Sequence, residues 1–137
     1  MVRPIVTDIF SLNRRAQSAT QADLATARDL MDTLQANADR CVGMAANMIG
    51  VNKRIIVVST GLFPLVMLNP VITKKSTETY EAEEGCLSLS GVRKTTRHKS
   101  IEVSWQDMEL KSHQQTFSGF TAQIIQHEMD HCEGILI

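Results

Sequence analysis

Residues 126–134 read Gln-His-Glu-Met-Asp-His-Cys-Glu-Gly, and within them His127, Glu128 and His131 form the pattern His-Glu-x-x-His. On a helix, side chains four positions apart share one face, about 5–6 Å apart at Cβ, so these two imidazoles can hold one metal ion. The glutamate between them projects close by and suits a general acid/base working on a metal-activated water. A catalytic site of this kind needs a third protein ligand and one open position. Cys86, in Glu83-Glu84-Gly85-Cys86-Leu87-Ser88, is the best candidate, because Gly85 permits close backbone approach. The competing reading of Cys86 is a small buried hydrophobe. Cys41 and Cys132 are rival ligands, but Cys132 directly follows His131, points off the His127/His131 face and reads as structural. His98 and His113 lie in polar stretches and read as solvated.

These residues need elements to carry them. Phe120, Ile124, His127 and His131 recur at helical spacing, which predicts a helix over 119–133 with Gly134 as its stop. A second helix is signalled after Thr20, a suitable N-cap with Asp23 as reciprocal partner. Leu24, Ala27, Leu30, Met31 and Leu34 give it an apolar face as far as Asn37 or Arg40. Between the helices the period changes. Arg54–Ser59 and Leu65–Asn69 are short β-branched and apolar runs about a Thr60-Gly61 turn, which predicts a hairpin. Ile101–Trp105 alternates as a half-exposed strand, residues 106–108 turn, and 110–117 return. Residues 1–19 read as irregular. The expected class is α+β, with antiparallel sheet packed around the His-Glu-x-x-His helix and one N-terminal amphipathic helix.

Composition narrows the function classes. The chain has 137 residues, enough for one domain over 1–137. Its hydrophobic fraction of 43% supports a real core. A formal net charge of −1 and an aromatic fraction of 4% argue against a nucleic-acid binder. Three cysteines do not read as a disulfide framework, the N-terminus has no apolar leader pattern, and no run is long enough to span a membrane. The expectation is a cytoplasmic small enzyme or small-ligand binder with reduced thiols.

Three short segments together carry a resemblance. Gln126–Gly134 is a complete Gln-His-Glu-x-Asp-His-x-x-Gly motif, and Glu84–Ser88 a complete Glu-Gly-Cys-hydrophobic-Ser motif. Cys41–Met48 partly matches Gly-hydrophobic-Gly-hydrophobic-Ala-Ala-x-Gln. In this order they resemble the peptide deformylases, metalloenzymes that remove the N-formyl group of nascent polypeptides. The resemblance implies that Cys86, His127 and His131 bind one divalent metal, ferrous iron first and zinc or nickel as alternatives. It implies Glu128 as catalytic acid/base, the backbone N–H of Leu87 as an oxyanion donor, and Asp130 as a carboxylate orienting an imidazole. A thiolate and two neutral imidazoles would leave the ion at net +1, lowering the pKa of a bound water toward neutrality. N-formylated nascent peptides become the expected substrate, with transient ribosome contact and no membrane partner.

The resemblance breaks at three places. Met48 stands where the family has a Gln whose amide helps stabilise the oxyanion, and Met has no donor. Loss of one such donor typically costs about 2.7–4 kcal/mol of transition-state stabilisation. Asn47 carries an amide, but neighbouring side chains do not share a face in regular geometry. Cys41 replaces the motif's first Gly, and a side chain there is expected to narrow the cleft or to demand a different backbone angle. The chain stops three residues after Gly134, which reads as a core without the family's usual C-terminal extension. Val42, Gly43, Met48, Glu84, Gly85, Phe120 and Ile124 are the expected substrate contacts, with His127 beside them; Arg93 and Arg97 are candidates to touch peptide backbone or Glu84. An active deformylase leads. The alternative is a deformylase-like metal-binding protein of weak activity, acting on another N-acyl substrate or as a peptide or ribosome-associated binder.

Overall fold

A computed structural model describes residues 1–137. The chain runs α1 (Ile9–Leu12), α2 (Leu24–Ala36), β1 (Gly43–Ala45), β2 (Ile55–Ser59), β3 (Pro64–Lys75), β4 (Thr79–Cys86), β5 (Leu89–His98), β6 (Ser100–Gln106), β7 (Ser112–Ser118) and α3 (Gly119–Cys132). Strands β1-β2-β3-β6-β7 form one antiparallel sheet, and β4-β5 form a separate two-stranded ribbon.

The continuous apolar run in β2 has a simple cause. Ile55 and Val57 point to one side and pack with Ala27, Leu30 and Leu34 of α2. Ile56 and Val58 point to the other and pack with Ile124, Ile125 and Met129 of α3. A strand covered by helices on both faces has no polar side, so its period-2 alternation disappears. All four residues are fully buried, each worth about 1.5–3 kcal/mol of transfer free energy. Helix α2 begins as the sequence predicts. Thr20 N–H donates to the Asp23 carboxylate at 2.8 Å, and Ala22 N–H donates to the Thr20 hydroxyl at 3.3 Å, with a 3-10 turn over Gln21–Asp23 leading in.

Several strands exceed the expectation. The predicted hairpin about Gly61 forms, pairing Ser59 with Pro64. Strand β3, however, passes Pro70 and continues to Lys75. A register shift between Leu68 and Val71 absorbs the proline, which has no N–H for the ladder. Asn69 takes φ +52° there; its side chain accepts from Ala19 N–H at 2.7 Å and donates to Ala19 O and to Gln106 Oε1. β1 and the whole β4-β5 ribbon were not foreseen. The ribbon's residues are mostly charged or hydroxylated, and only Ala82, Glu84, Leu89 and Arg97 in it are buried. Residues 1–19 are largely irregular as expected, apart from the one-turn α1.

Helix α3 occupies the centre. The five-stranded sheet covers one side, and the β4-β5 ribbon lies against another through Gln126. The Gln126 amide donates to His98 O at 2.9 Å and accepts from His98 N–H at 2.9 Å, clasping β5 to the helix. Gly134 ends the helical segment at φ +76°, and a Cβ there would come within 2.9 Å of Arg14 backbone.

Candidate metal centre

His127 and His131 sit one turn apart on α3, ring centroids 5.1 Å apart. Cys86 ends β4, so the ribbon delivers its sulfur to the helix; Sγ lies 3.4 Å from His131 Nε2. The ligand atoms of Cys86, His127 and His131 all lie within 4.8 Å of one another. Tetrahedral ligation at ordinary metal–N and metal–S lengths spaces such atoms ~3.3–3.6 Å apart, so the set fits a divalent ion with small adjustment. The rival thiols do not join it. Cys132 is buried in the core, where burial pushes its thiol up to about 12. Cys41 is half-buried, burial pushes it up to about 11, and its Sγ lies 3.0 Å from Gly43 O.

Each imidazole is tuned. His127 Nδ1 meets Glu84 Oε1 at 2.7 Å, which leaves Nε2 for the ion. Burial alone would lower His127, but the Cys86 sulfur, Glu84 and the charge of Glu128 raise it to about 10. A cation at Nε2 displaces that proton. His131 is held near 3 by burial and by its neighbour His127, so it is a neutral imidazole with a lone pair to give.

A chain of charged groups stands behind His127. Arg97 Nη2 and Nε grip Glu84 at 2.6 and 2.9 Å, and Arg97 Nη1 reaches Asp130 at 2.6 Å. Burial opposes the Glu84 charge, but the hydrogen bonds from Arg97 and His127 win and hold its carboxyl near 2. This corrects the expected role of Asp130: it touches no imidazole, and acts on His127 only through Arg97 and Glu84. Of the two arginines considered, Arg97 is the one that meets Glu84. Arg93, across the ribbon from Glu84, donates to Ser90 O. Of the two histidines outside the centre, His98 departs from the solvated expectation: it is half-buried, with Nδ1 2.8 Å from Ser76 O. His113 is exposed as expected, stacked on Trp105 with Nε2 2.6 Å from Asp107.

Glu128 is buried, and its Oε1 has no hydrogen-bond partner. Burial is the main reason its carboxyl rises to about 7. Its approach depends on Gly43: a Cβ there would lie 2.9 Å from Glu128 Oε2 and 2.6 Å from Ile124 Cγ2. The carboxylate faces a cavity of about 490 Å³ that also reaches Cys86 and His127. Val42, Gly43, Met48, Glu84, Gly85, Leu87, Phe120 and Ile124 all line it. Val42 and Phe120 form its rim, 42% and 60% exposed. Glu84 contributes little of its carboxylate, since both oxygens are engaged. Leu87 lies in the turn between β4 and β5, and its N–H meets no turn, loop or side-chain acceptor.

Met48 is buried in the 3-10 turn Ala46–Ile49 and brings no donor to the cavity wall. Asn47 does not replace it. Its amide donates to His131 O at 3.0 Å and to Leu12 O at 3.5 Å, fastening α3 from the side away from the cavity. The sequence reading missed Gln123, a cavity residue one turn before His127, and the clasp made by Gln126. The four-residue spacing from Gln123 to His127 was the available signal.

Comparison with known proteins agrees with this geometry. A family profile described as "Polypeptide deformylase" matches residues 3–137. A peptide deformylase of Clostridium beijerinckii is 55% identical over 137 residues, covering all of both chains. One of Synechocystis is 41% identical over 101 residues, 69% of this chain and 54% of the relative, so the match spans about half of that protein. The crystal structure of a class I type b peptide deformylase from Acinetobacter baumannii superposes with a TM-score of 0.90 at 30% identity, covering 99% of this chain and 97% of that one. The Thermotoga maritima peptide deformylase gives 0.89 at 31%, covering 99% and 94%.

Proposed function

The chain belongs to the polypeptide deformylase family and is a metal-dependent hydrolase that removes N-formyl groups from peptides, and from that premise we propose how its residues divide the work. Cys86, His127 and His131 hold one divalent ion. Ferrous iron is the first choice, with zinc or nickel as alternatives, because thiolate and imidazole donors suit all three. When bound, the ion supplies Lewis acidity to the formyl carbonyl and to water.

The chain's own groups do the rest. Glu128 takes a proton from the attacking water and passes it to the departing amine. A carboxyl raised to about 7 suits both directions of transfer near neutrality. The free N–H of Leu87 donates to the formyl oxygen as negative charge grows there. Val42, Ile124 and Phe120 receive the first side chain of the substrate, expected to be methionine. Gly43 and Gly85 leave room for peptide backbone, and Glu84 holds His127 in the tautomer that leaves Nε2 free. The observation that carries this reading is one cavity lined by Cys86, His127 and a buried carboxylate with an unpartnered oxygen, with the His131 ligand atom within 4.8 Å of the other two.

Met48 favours a slower enzyme within the same reading, since the Leu87 N–H works there without a side-chain amide beside it. We take residues 1–137 as a single catalytic domain, because both core clusters draw on the same sheet. Formylated nascent chains as substrate carry with them a cytoplasmic site and transient ribosome contact. No helix is long and apolar enough to cross a membrane. The test is anaerobic purification with metal analysis. One ion per chain, lost on Cys86→Ala with the fold intact, supports the ligand set, and an ion retained by Cys86→Ala refutes it.

A further inference from the structure

The helix face that lines the cavity reads Phe120, Gln123, Ile124 and His127, positions i, i+3, i+4 and i+7. Three of these suit an apolar guest beside the metal. Gln123 does not. It is half-buried in the cavity wall, and Tyr80 of the β4-β5 ribbon donates its hydroxyl to Gln123 Oε1 at 2.9 Å. That bond fixes which end of the amide faces away from Tyr80. The amide nitrogen then has no acceptor within the fold, although the neighbouring Gln126 amide is fully engaged. A donor held in place by the ribbon and left unpaired in the wall of a substrate cavity offers a hydrogen bond to the guest.

We propose that Gln123, oriented by Tyr80, is a specificity-determining residue that selects N-formyl substrates whose first side chain carries a hydrogen-bond acceptor over hydrocarbon side chains of the same length. The inference rests on the deformylase reading of this cavity. Methionine fits the description through its weakly accepting sulfur. Methionine sulfoxide fits it better, because the S=O oxygen is a strong acceptor. Norleucine has the same length and no acceptor. Gln123 lies one turn from His127, so the bond forms at the side chain and not at the reacting carbonyl, and the effect belongs to substrate choice.

The test is formate release from three formyl peptides differing only in the first residue: methionine, methionine sulfoxide and norleucine. Wild type is expected to favour methionine over norleucine ~2–5-fold in kcat/KM, and to turn over the sulfoxide within ~10-fold of methionine. In Gln123→Leu the methionine preference should vanish, and the sulfoxide should fall at least ~10-fold further behind. Tyr80→Phe keeps the amide but frees its orientation, so it should give intermediate ratios with unchanged metal content. Wild-type norleucine turnover equal to methionine, or ratios unchanged in Gln123→Leu, overturns the role of Gln123. Formate from none of the three, with one metal ion per chain, takes down the deformylase reading and this inference with it.

Discussion

Arg97→Met probes the buried charge chain behind the metal ligand. Arg97 is 4% exposed and Glu84 7% exposed, and the arginine supplies three hydrogen bonds of 2.6–2.9 Å, two to Glu84 and one to Asp130. Methionine keeps most of the stem volume and removes all three. Glu84 is then a buried carboxylate with only His127 to compensate it. Breaking a buried pair on one side costs about 3–5 kcal/mol, because the remaining charge keeps its desolvation penalty. With a urea m-value of about 2 kcal/mol/M, the midpoint should fall by about 2 M. Chelator in the denaturation buffer removes the stabilisation that a bound ion would add. Glu84 also loses its anchor, so His127 is less firmly held and metal affinity should drop ~10–100-fold, read by competition against a chromogenic chelator. The double variant Glu84→Leu/Arg97→Met separates the two effects. Removing both charges should recover most of the stability, while the metal affinity stays low because His127 still has no carboxylate. Single-variant stability and affinity both unchanged, or affinity restored in the double variant, would refute the positioning role given to Glu84 and Arg97.

Two other substitutions test neighbouring parts of the site. Met48→Gln puts an amide of nearly the same volume on the cavity wall and should raise kcat by ~10²–10³-fold, the range one oxyanion donor supplies. It should also lower stability by about 1–2 kcal/mol if the amide goes unpartnered in the substrate-free chain; an unchanged kcat would show that Met48 is not the limiting deficit. Gly43→Ala should cost about 1–3 kcal/mol of stability from overpacking and should cut kcat while sparing metal content, since its methyl displaces Ile124 or Glu128. A variant with normal turnover would mean that Glu128 does not need its present place.

The parts legible in the sequence are those with local rules. The His127/His131 face follows from helix period, the Thr20 cap from its reciprocal partner, the β2-β3 hairpin from continuous β-branched and apolar runs about a turn, and the β6-β7 hairpin from an alternating run followed by turn residues. Cys86 was selected by residue type and motif, although it lies 45 positions from His131 and only the β4-β5 ribbon brings them together. That ribbon was hidden because its strands are rich in Glu, Lys, Arg and Thr, so no apolar alternation marked them. Strand β3 was cut short at Pro70 because a bulge, visible only in register, carries the pairing past it. The resemblance implies an imidazole partner for Asp130. Arg97, arriving from β5, captures it first. The unpaired amide of Gln123 depends on Tyr80, which is 43 positions away and not signalled by any local pattern.

The decisive measurement is formate release from a formyl-methionyl peptide by the anaerobically prepared, iron-loaded chain, beside Glu128→Gln at equal metal content. Steady release is expected from the wild type, with a ~10²–10⁴-fold slower rate for the variant with its ion retained. A wild-type chain that carries one ion and releases no formate, or a Glu128→Gln chain that matches the wild type, would refute a metal-assisted deformylase with Glu128 as its acid/base.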